Sequence, residues 1–164
     1  MSATSVVVVR RLPPGEEDDV SALVATTFRH DIAPLYTKEG VDEFLRYASS
    51  HGIRERQHRD HVVLVATHEG SLVGMIELRG YGHVSLLFVH PRRQREGIGR
   101  ALLAEALQQC RAQPAPPVEI TVNSSPNAVD AYRRLGFRPT GELQVKNGIE
   151  FLPMSLALEH ADGA

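Results

Sequence analysis

The sequence predicts one α/β (or α+β) domain over residues 1–160, built on a mixed, mostly antiparallel sheet with helices on both faces. Three observations carry this. A chain of 164 residues is the size of one compact domain. Its apolar segments alternate between strand and helix periods in the order β-α-α-β-β-β-α-β-α-β-β. Three consecutive strands are joined by tight turns and are therefore antiparallel, whereas the next connection is a helix, which makes the fourth and fifth strands parallel.

The chain opens on the β-branched run Val6-Val7-Val8-Val9, stopped by Pro13-Pro14-Gly15. Glu16, Glu17, Asp18 and Asp19 suit the positive end of a helix dipole, and Val20, Leu23, Val24 and Phe28 form that helix's apolar stripe. After the aperiodic segment 29–38, with Pro34, a second helix carries Val41, Phe44, Leu45 and Ala48 on one face. It is expected to end near His51-Gly52, where glycine accepts a left-handed cap. Polar residues 54–61 are expected to link it to a strand over 62–67. His68-Glu69-Gly70-Ser71 turns into a strand over 72–79, and Gly80-Tyr81-Gly82 into a fourth over 83–89. Strict alternation there sends His83, Ser85, Leu87 and Val89 to one face and Val84, Leu86, Phe88 and His90 to the other. A basic loop over 91–99 leads to a helix over 100–111 with Leu103, Ala106, Leu107 and Cys110 on one side. A fifth strand over 118–123 follows, then a short helix near 127–135 closed by Gly136. Strands over 137–145 and 151–158 flank Lys146-Asn147-Gly148, where Asn-Gly signals a hairpin. Residues 161–164 read as a frayed tail.

A hydrophobic fraction of 42% with 23% charged residues excludes disorder as the main state. Net charge is −2, so no global field favours nucleic acid or an anionic membrane, and any anion site must be local. The single cysteine, Cys110, permits neither an intramolecular disulfide nor a zinc module, and a reducing, cytoplasmic compartment is expected. Cys110 reads as packing rather than as a nucleophile. The run Val6 to Val9 is too short for a signal h-region or a membrane span.

The most informative stretch is the loop between the fourth strand and its helix. Gly97 and Gly99 let backbone N–H groups approach a ligand and point the same way, and the helix start adds partial positive charge. Arg92, Arg93, Arg95 and Arg100 against Glu96 leave the segment at +3. A phosphate-bearing ligand fits these features; a solvated turn that merely uses glycine is the alternative. No Gly-Lys-Ser/Thr follows, so this is not a Walker loop, and no third glycine completes a dinucleotide fingerprint.

Gln94-Arg95-Glu96-Gly97-Ile98-Gly99 matches the Gln/Arg-x-x-Gly-x-Gly/Ala motif of the GCN5-related N-acetyltransferases. Downstream, the helix from Asn127 through Tyr132 into Leu135-Gly136-Phe137 resembles that family's second signature. The resemblance spans residues 62–137. It implies acetyl-CoA as donor, a primary amine as acceptor, and direct transfer in a ternary complex with no acyl-enzyme and no metal. The pyrophosphate would lie on the N–H groups from Gln94 through Arg95, Glu96, Gly97, Ile98 and Gly99 to Arg100, with Arg92 beside them. The pantetheine would pair with Leu87, Phe88 and Val89 in a gap where the fourth and fifth strands splay. Asn123 and Asn127 are placed to bond its amides, and Asn127 as a helix cap is an equal reading. Ser125 stands where many relatives carry Asn. Tyr132 matches the family's general acid, which protonates the leaving thiolate; a packing role against Leu135 and Phe137 is the alternative.

Two side chains stand out as proton acceptors. His83 coincides with a glutamate of histone-type relatives and titrates near neutrality. Glu77 sits among Met75, Ile76 and Leu78, where alternation equally allows a surface position. His51, His58, His61 and His68 read as solvated, and His30 adjoins the segment that often roofs the acceptor site in relatives. The acceptor is a small-molecule or a peptide or protein amine, shaped by segments 29–40 and 52–61. Relatives are often homodimers, and no feature of the sequence fixes an interface. A non-catalytic acyl-CoA-binding module is the rival reading.

Overall fold

A computed structural model describes residues 6–158; the expected frayed tail lies outside them. Among the described residues eight strands form one sheet: β1 (Val7–Arg11), β2 (His61–His68), β3 (Ser71–Arg79), β4 (His83–Val89), β5 (Glu119–Ser124), β6 (Arg138–Pro139), β7 (Gln144–Lys146) and β8 (Ile149–Ala157). Their order is β1-β2-β3-β4-β5-β8-β6, with β7 paired to β8. All neighbours are antiparallel except β4 and β5, as the single helix crossover requires. That parallel pair is held only at His83 with Thr121 and Val84 with Val122. Beyond those residues the two strands part, which opens the sheet toward their C-terminal ends.

The helices are α1 (Glu17–Asp31), α2 (Lys38–Tyr47), α3 (Ser50–Gln57), α4 (Ile98–Arg111) and α5 (Val129–Arg134). β2 and β3 are buried on both faces, so their side chains feed two cores. Val62, Leu64, Ile76 and Leu78 pack with Ile98, Leu102 and Tyr132 of α4 and α5. Val63, Val65 and Met75 pack with Val24, Phe28 and Ile53 of α1 and α3. Gly74 permits the close approach of α4, because a Cβ there would lie 3.0 Å from Leu102 Cδ1 and 3.1 Å from Ile98 Cγ2.

Four sequence expectations change. The second helix ends at Ala48, not near Gly52. Ser49 caps a new helix, its side chain accepting from the Gly52 N–H (3.0 Å), so residues expected to be a linker form α3. Gly52 serves close approach, since a Cβ there would lie 2.8 Å from the Tyr47 carbonyl oxygen. The strand expected over 137–145 splits into β6 and β7. The expected alternation on β4 is broken by a bulge: Leu78 opposes Val84 but Glu77 opposes Leu86, leaving Ser85 as the extra residue. Val84 therefore shares the α4 side with Leu87 and Val89, while Leu86 and Phe88 pack on the α1–α3 side. Finally, the short helix expected near 127–135 is a 3-10 turn (Pro126–Ala128) followed by α5.

Candidate active site

A cleft of about 1090 Å³ opens where β4 and β5 part. Leu87, Phe88 and Val89 of β4 line it, as do Gln94, Arg95, Gly97, Ile98, Gly99 and Arg100 from the loop and the start of α4. Asn127 and Tyr132 line it from the opposite side. One opening of the sheet thus gathers both sequence motifs.

The loop is built to expose backbone donors. Arg95 and Gly97 take left-handed conformations (φ 66° and 85°), and no atom would meet a Cβ on Gly97 within 4 Å. The non-glycine residue in that region costs about 1–2 kcal/mol. The first α4 bond runs from the Ala101 N–H to the Gly97 carbonyl (3.0 Å), so the N–H groups of Ile98, Gly99 and Arg100 have no partner within the helix. Arg93 anchors the loop from behind, donating to Glu96 Oε1 (3.0 Å) and lying 3.2 Å from His68 Nδ1. His90 Nδ1 accepts from the Arg92 N–H (3.1 Å). His68 is therefore tied to the loop rather than solvated.

Tyr132 is 8% exposed and meets Phe137 edge-on, ring centroids 5.4 Å apart. Burial pushes its phenol well above the ordinary tyrosine value, so it is protonated throughout the physiological range.

The end of α1 closes the cleft on a third side, through Thr27, His30, Asp31 and Ile32. Asp31 ties the other two sides together. Its carboxylate accepts from Gln94 Nε2 (2.8 Å) and lies 2.5 Å from His30 Nδ1, while its carbonyl accepts from Asn127 Nδ2 (2.7 Å). Asn127 caps neither the 3-10 turn nor α5. Nothing local in the sequence marks this role of Asp31, because Gln94 and Asn127 lie 63 and 96 residues away. Arg134, which also lines the cleft, was likewise missed, although it follows Tyr132 by two positions.

The remaining sequence candidates lie elsewhere. Arg92, Glu96 and Asn123 are exposed outside the cleft lining, and Asn123 pairs with Pro153 of β8. Glu77 is fully buried, which decides between the two positions that alternation allows. Arg56 grips it twice, Nε to Oε2 at 2.6 Å and Nη2 to Oε1 at 3.1 Å. His61 Nδ1 lies 2.6 Å from Oε2, outside hydrogen-bond angle, and His61 is buried rather than solvated. Arg56 also donates to the Tyr47 carbonyl (2.6 Å) and sits 3.6 Å above the Tyr47 ring. His83 Nδ1 lies 2.7 Å from Thr121 Oγ1. Thr121 Oγ1 itself donates to the Gly82 carbonyl (3.4 Å), which leaves it to accept from His83 and puts the free lone pair on Nε2. Burial, then the charges of Arg79 and His61, lower His83 to about 4. It is neutral at pH 7. Cys110 is buried in the core against α4's neighbours, and burial pushes its thiol up to about 11, so it is no nucleophile.

The sequence model of the acetyltransferase (GNAT) domain matches residues 32–158. A GCN5-related N-acetyltransferase from Rhodopseudomonas palustris superposes with a TM-score of 0.81 at 22% identity, covering 96% of this chain and 99% of that one. The PaiA N-acetyltransferase from Thermoplasma acidophilum, solved in complex with coenzyme A, gives 0.73 at 19% identity over 93% and 99%. An aminoglycoside 6'-acetyltransferase of type Ii gives 0.67 at 17% identity over 92% and 97%. At these identities the likeness concerns the fold.

Proposed function

The chain belongs to the GNAT acetyltransferase family, and from that premise we propose that it transfers an acetyl group from acetyl-CoA to a primary amine by direct attack in a ternary complex. The observation that carries the proposal is one cleft holding both an anion cradle and a buried phenol. The cradle is the set of unpartnered N–H groups at the start of α4, a 14-residue helix whose dipole favours phosphate. Acetyl-CoA, when bound, supplies an activated acyl group and a thiolate leaving group.

The residues of this chain then have distinct tasks. Gln94 to Arg100 hold the pyrophosphate. Leu87, Phe88 and Val89 offer free strand edge to the pantetheine, since β5 has already parted from β4 there. Backbone N–H near Leu87 or Phe88 stabilises the oxyanion. Tyr132 keeps its proton on Oη until the thiolate needs it, because burial holds the phenol protonated.

The proton on the incoming ammonium goes to water. Glu77 is committed to Arg56 and does not line the cleft. His83, lowered to about 4, does not hold a proton at neutral pH; like Glu77 it lies outside the cleft lining, so its fitting task is to anchor a chain of waters through Nε2. The acceptor is a small-molecule amine or the amine of a peptide or protein. A broad amine screen with acetyl-CoA, read by free-thiol release, tests the proposal. Acceptor-dependent release supports it; no release above background with any amine refutes it.

A further inference from the structure

The polar groups placed to hold a pantetheine are engaged within the chain, and their bonds converge on Asp31. The His90 N–H donates to the Val73 carbonyl of β3 (2.8 Å). Bonding direction alternates along an antiparallel strand, so the Val89 carbonyl faces the opposite edge, the one that β5 has left. Gln94 Nε2 covers that carbonyl (3.1 Å) and donates to Asp31 Oδ2 as well (2.8 Å). From the opposite wall, Asn127 Nδ2 donates to the Asp31 carbonyl (2.7 Å). His30 Nδ1 holds the carboxylate's other oxygen at 2.5 Å. Asp31 is the last residue of α1 and is half-buried. One residue thus ties the end of a helix to both walls of the cleft.

A pantetheine arm carries amides that need the same groups. An N–H of the arm seeks the Val89 carbonyl, and a C=O seeks the Asn127 amide. Each forms only by displacing a bond that the chain makes to itself. Resting on the donor reading above, we propose that Asp31 is a latch on the donor cleft: through Gln94 and Asn127 it closes the end of α1 across the cleft, and the donor enters by replacing both bonds. Donor affinity is then set by competition with α1 as well as by the contacts of the cleft. A latch worth one charge-assisted hydrogen bond leaves the cleft open about one-tenth of the time, and the observed affinity is reduced by that fraction. Its release frees the last turn of α1.

The test is calorimetric binding of CoA to the wild type and to Asp31→Ala, Asp31→Asn and Gln94→Ala, with amide hydrogen exchange of the wild type measured with and without CoA. Asp31→Ala and Gln94→Ala should each bind CoA about tenfold tighter than the wild type. The double alanine variant should bind no tighter than either single one, because both remove the same contact. Asp31→Asn keeps an acceptor for Gln94 Nε2 and should stay nearer the wild type. CoA should speed exchange in the last turn of α1 and slow it at the start of α4. Gln94 is exposed, so its variant carries the test should Asp31→Ala fail to fold. Unchanged or weaker CoA affinity in either alanine variant that folds would overturn the latch. So would Asp31→Asn binding as tightly as Asp31→Ala, which assigns the effect to charge alone, or slower exchange at the end of α1. Each of these leaves the donor reading intact, whereas failure of CoA to bind the wild type would overturn the donor reading and the latch with it.

Discussion

Arg56 and Glu77 offer the sharpest perturbation of the fold next to the cleft. Arg56→Ala leaves a carboxylate that is 0% exposed beside only the His61 ring, because both guanidinium bonds (2.6 and 3.1 Å) disappear. Removing one partner of a buried pair costs about 3–5 kcal/mol. At roughly 2–4 °C per kcal/mol for a chain of this size, the melting temperature should fall by roughly 6–20 °C. Replacing both partners with apolar side chains, Arg56→Met with Glu77→Leu, leaves no orphaned charge and should recover most of the loss. Guanidinium-chloride denaturation of the two variants measures this, and CoA calorimetry on the folded protein should show unchanged affinity, since neither residue lines the cleft. A loss below about 1 kcal/mol in Arg56→Ala, or a double variant no more stable than the single one, would refute the ion-pair account of Glu77.

Other outcomes are equally definite. Gly97→Val forces a side chain into φ 85° and should cost about 1–2 kcal/mol as well as CoA affinity, whereas Gly99→Ala meets only Val89 Cγ2 at 3.8 Å and should lose affinity without loss of stability; calorimetry with unchanged Kd in both would sink the loop assignment. Tyr132→Phe should keep stability within about 0.5 kcal/mol and keep donor binding, but turnover should drop roughly 10²-fold or more; wild-type turnover would return Tyr132 to packing. His83 is lowered from 6.5 to about 4 in the folded state, so the unfolded chain binds the extra proton between those values and stability falls as pH falls from 6.5 to 4. His83→Ala should flatten that fall in melting temperature and leave the acidic limb of kcat/KM in place; an unchanged melting profile, or loss of the limb, contradicts the neutral, water-anchoring role.

The parts of the fold that local chemistry dictates were legible from the residues. Two-residue turns such as Glu69-Gly70 and Asn147-Gly148 take the positive φ that hairpins need, and Asn-Gly announced the second. The α4 loop was legible because its conformation is set by backbone: Gly97, at φ 85°, turns the chain into the helix, and the Gly-x-Gly pair marks that turn directly. The Ser85 bulge was not, since every residue from His83 to Val89 suits a regular strand and only the partner register exposes the extra one. The same bulge decides which β4 side chains face α1. Period left Glu77 open between the interior and the surface, because alternation cannot see an arginine 21 positions earlier. Asp31 was invisible for the same reason. Gln94 and Asn127 meet it only when the end of α1 closes over the cleft.

Following the acetyl group itself tests the central claim most directly. The protein would be incubated with acetyl-labelled acetyl-CoA, first alone and then with the amine panel, and both protein and amines examined by intact mass spectrometry. Direct transfer predicts no label on the protein without amine, and label on an amine together with one equivalent of free thiol once an acceptor is present. A stable acetyl-protein adduct, at Cys110 or elsewhere, or CoA binding with no labelled amine across the panel, would contradict it; the latter would leave a module that binds acyl-CoA without turning it over.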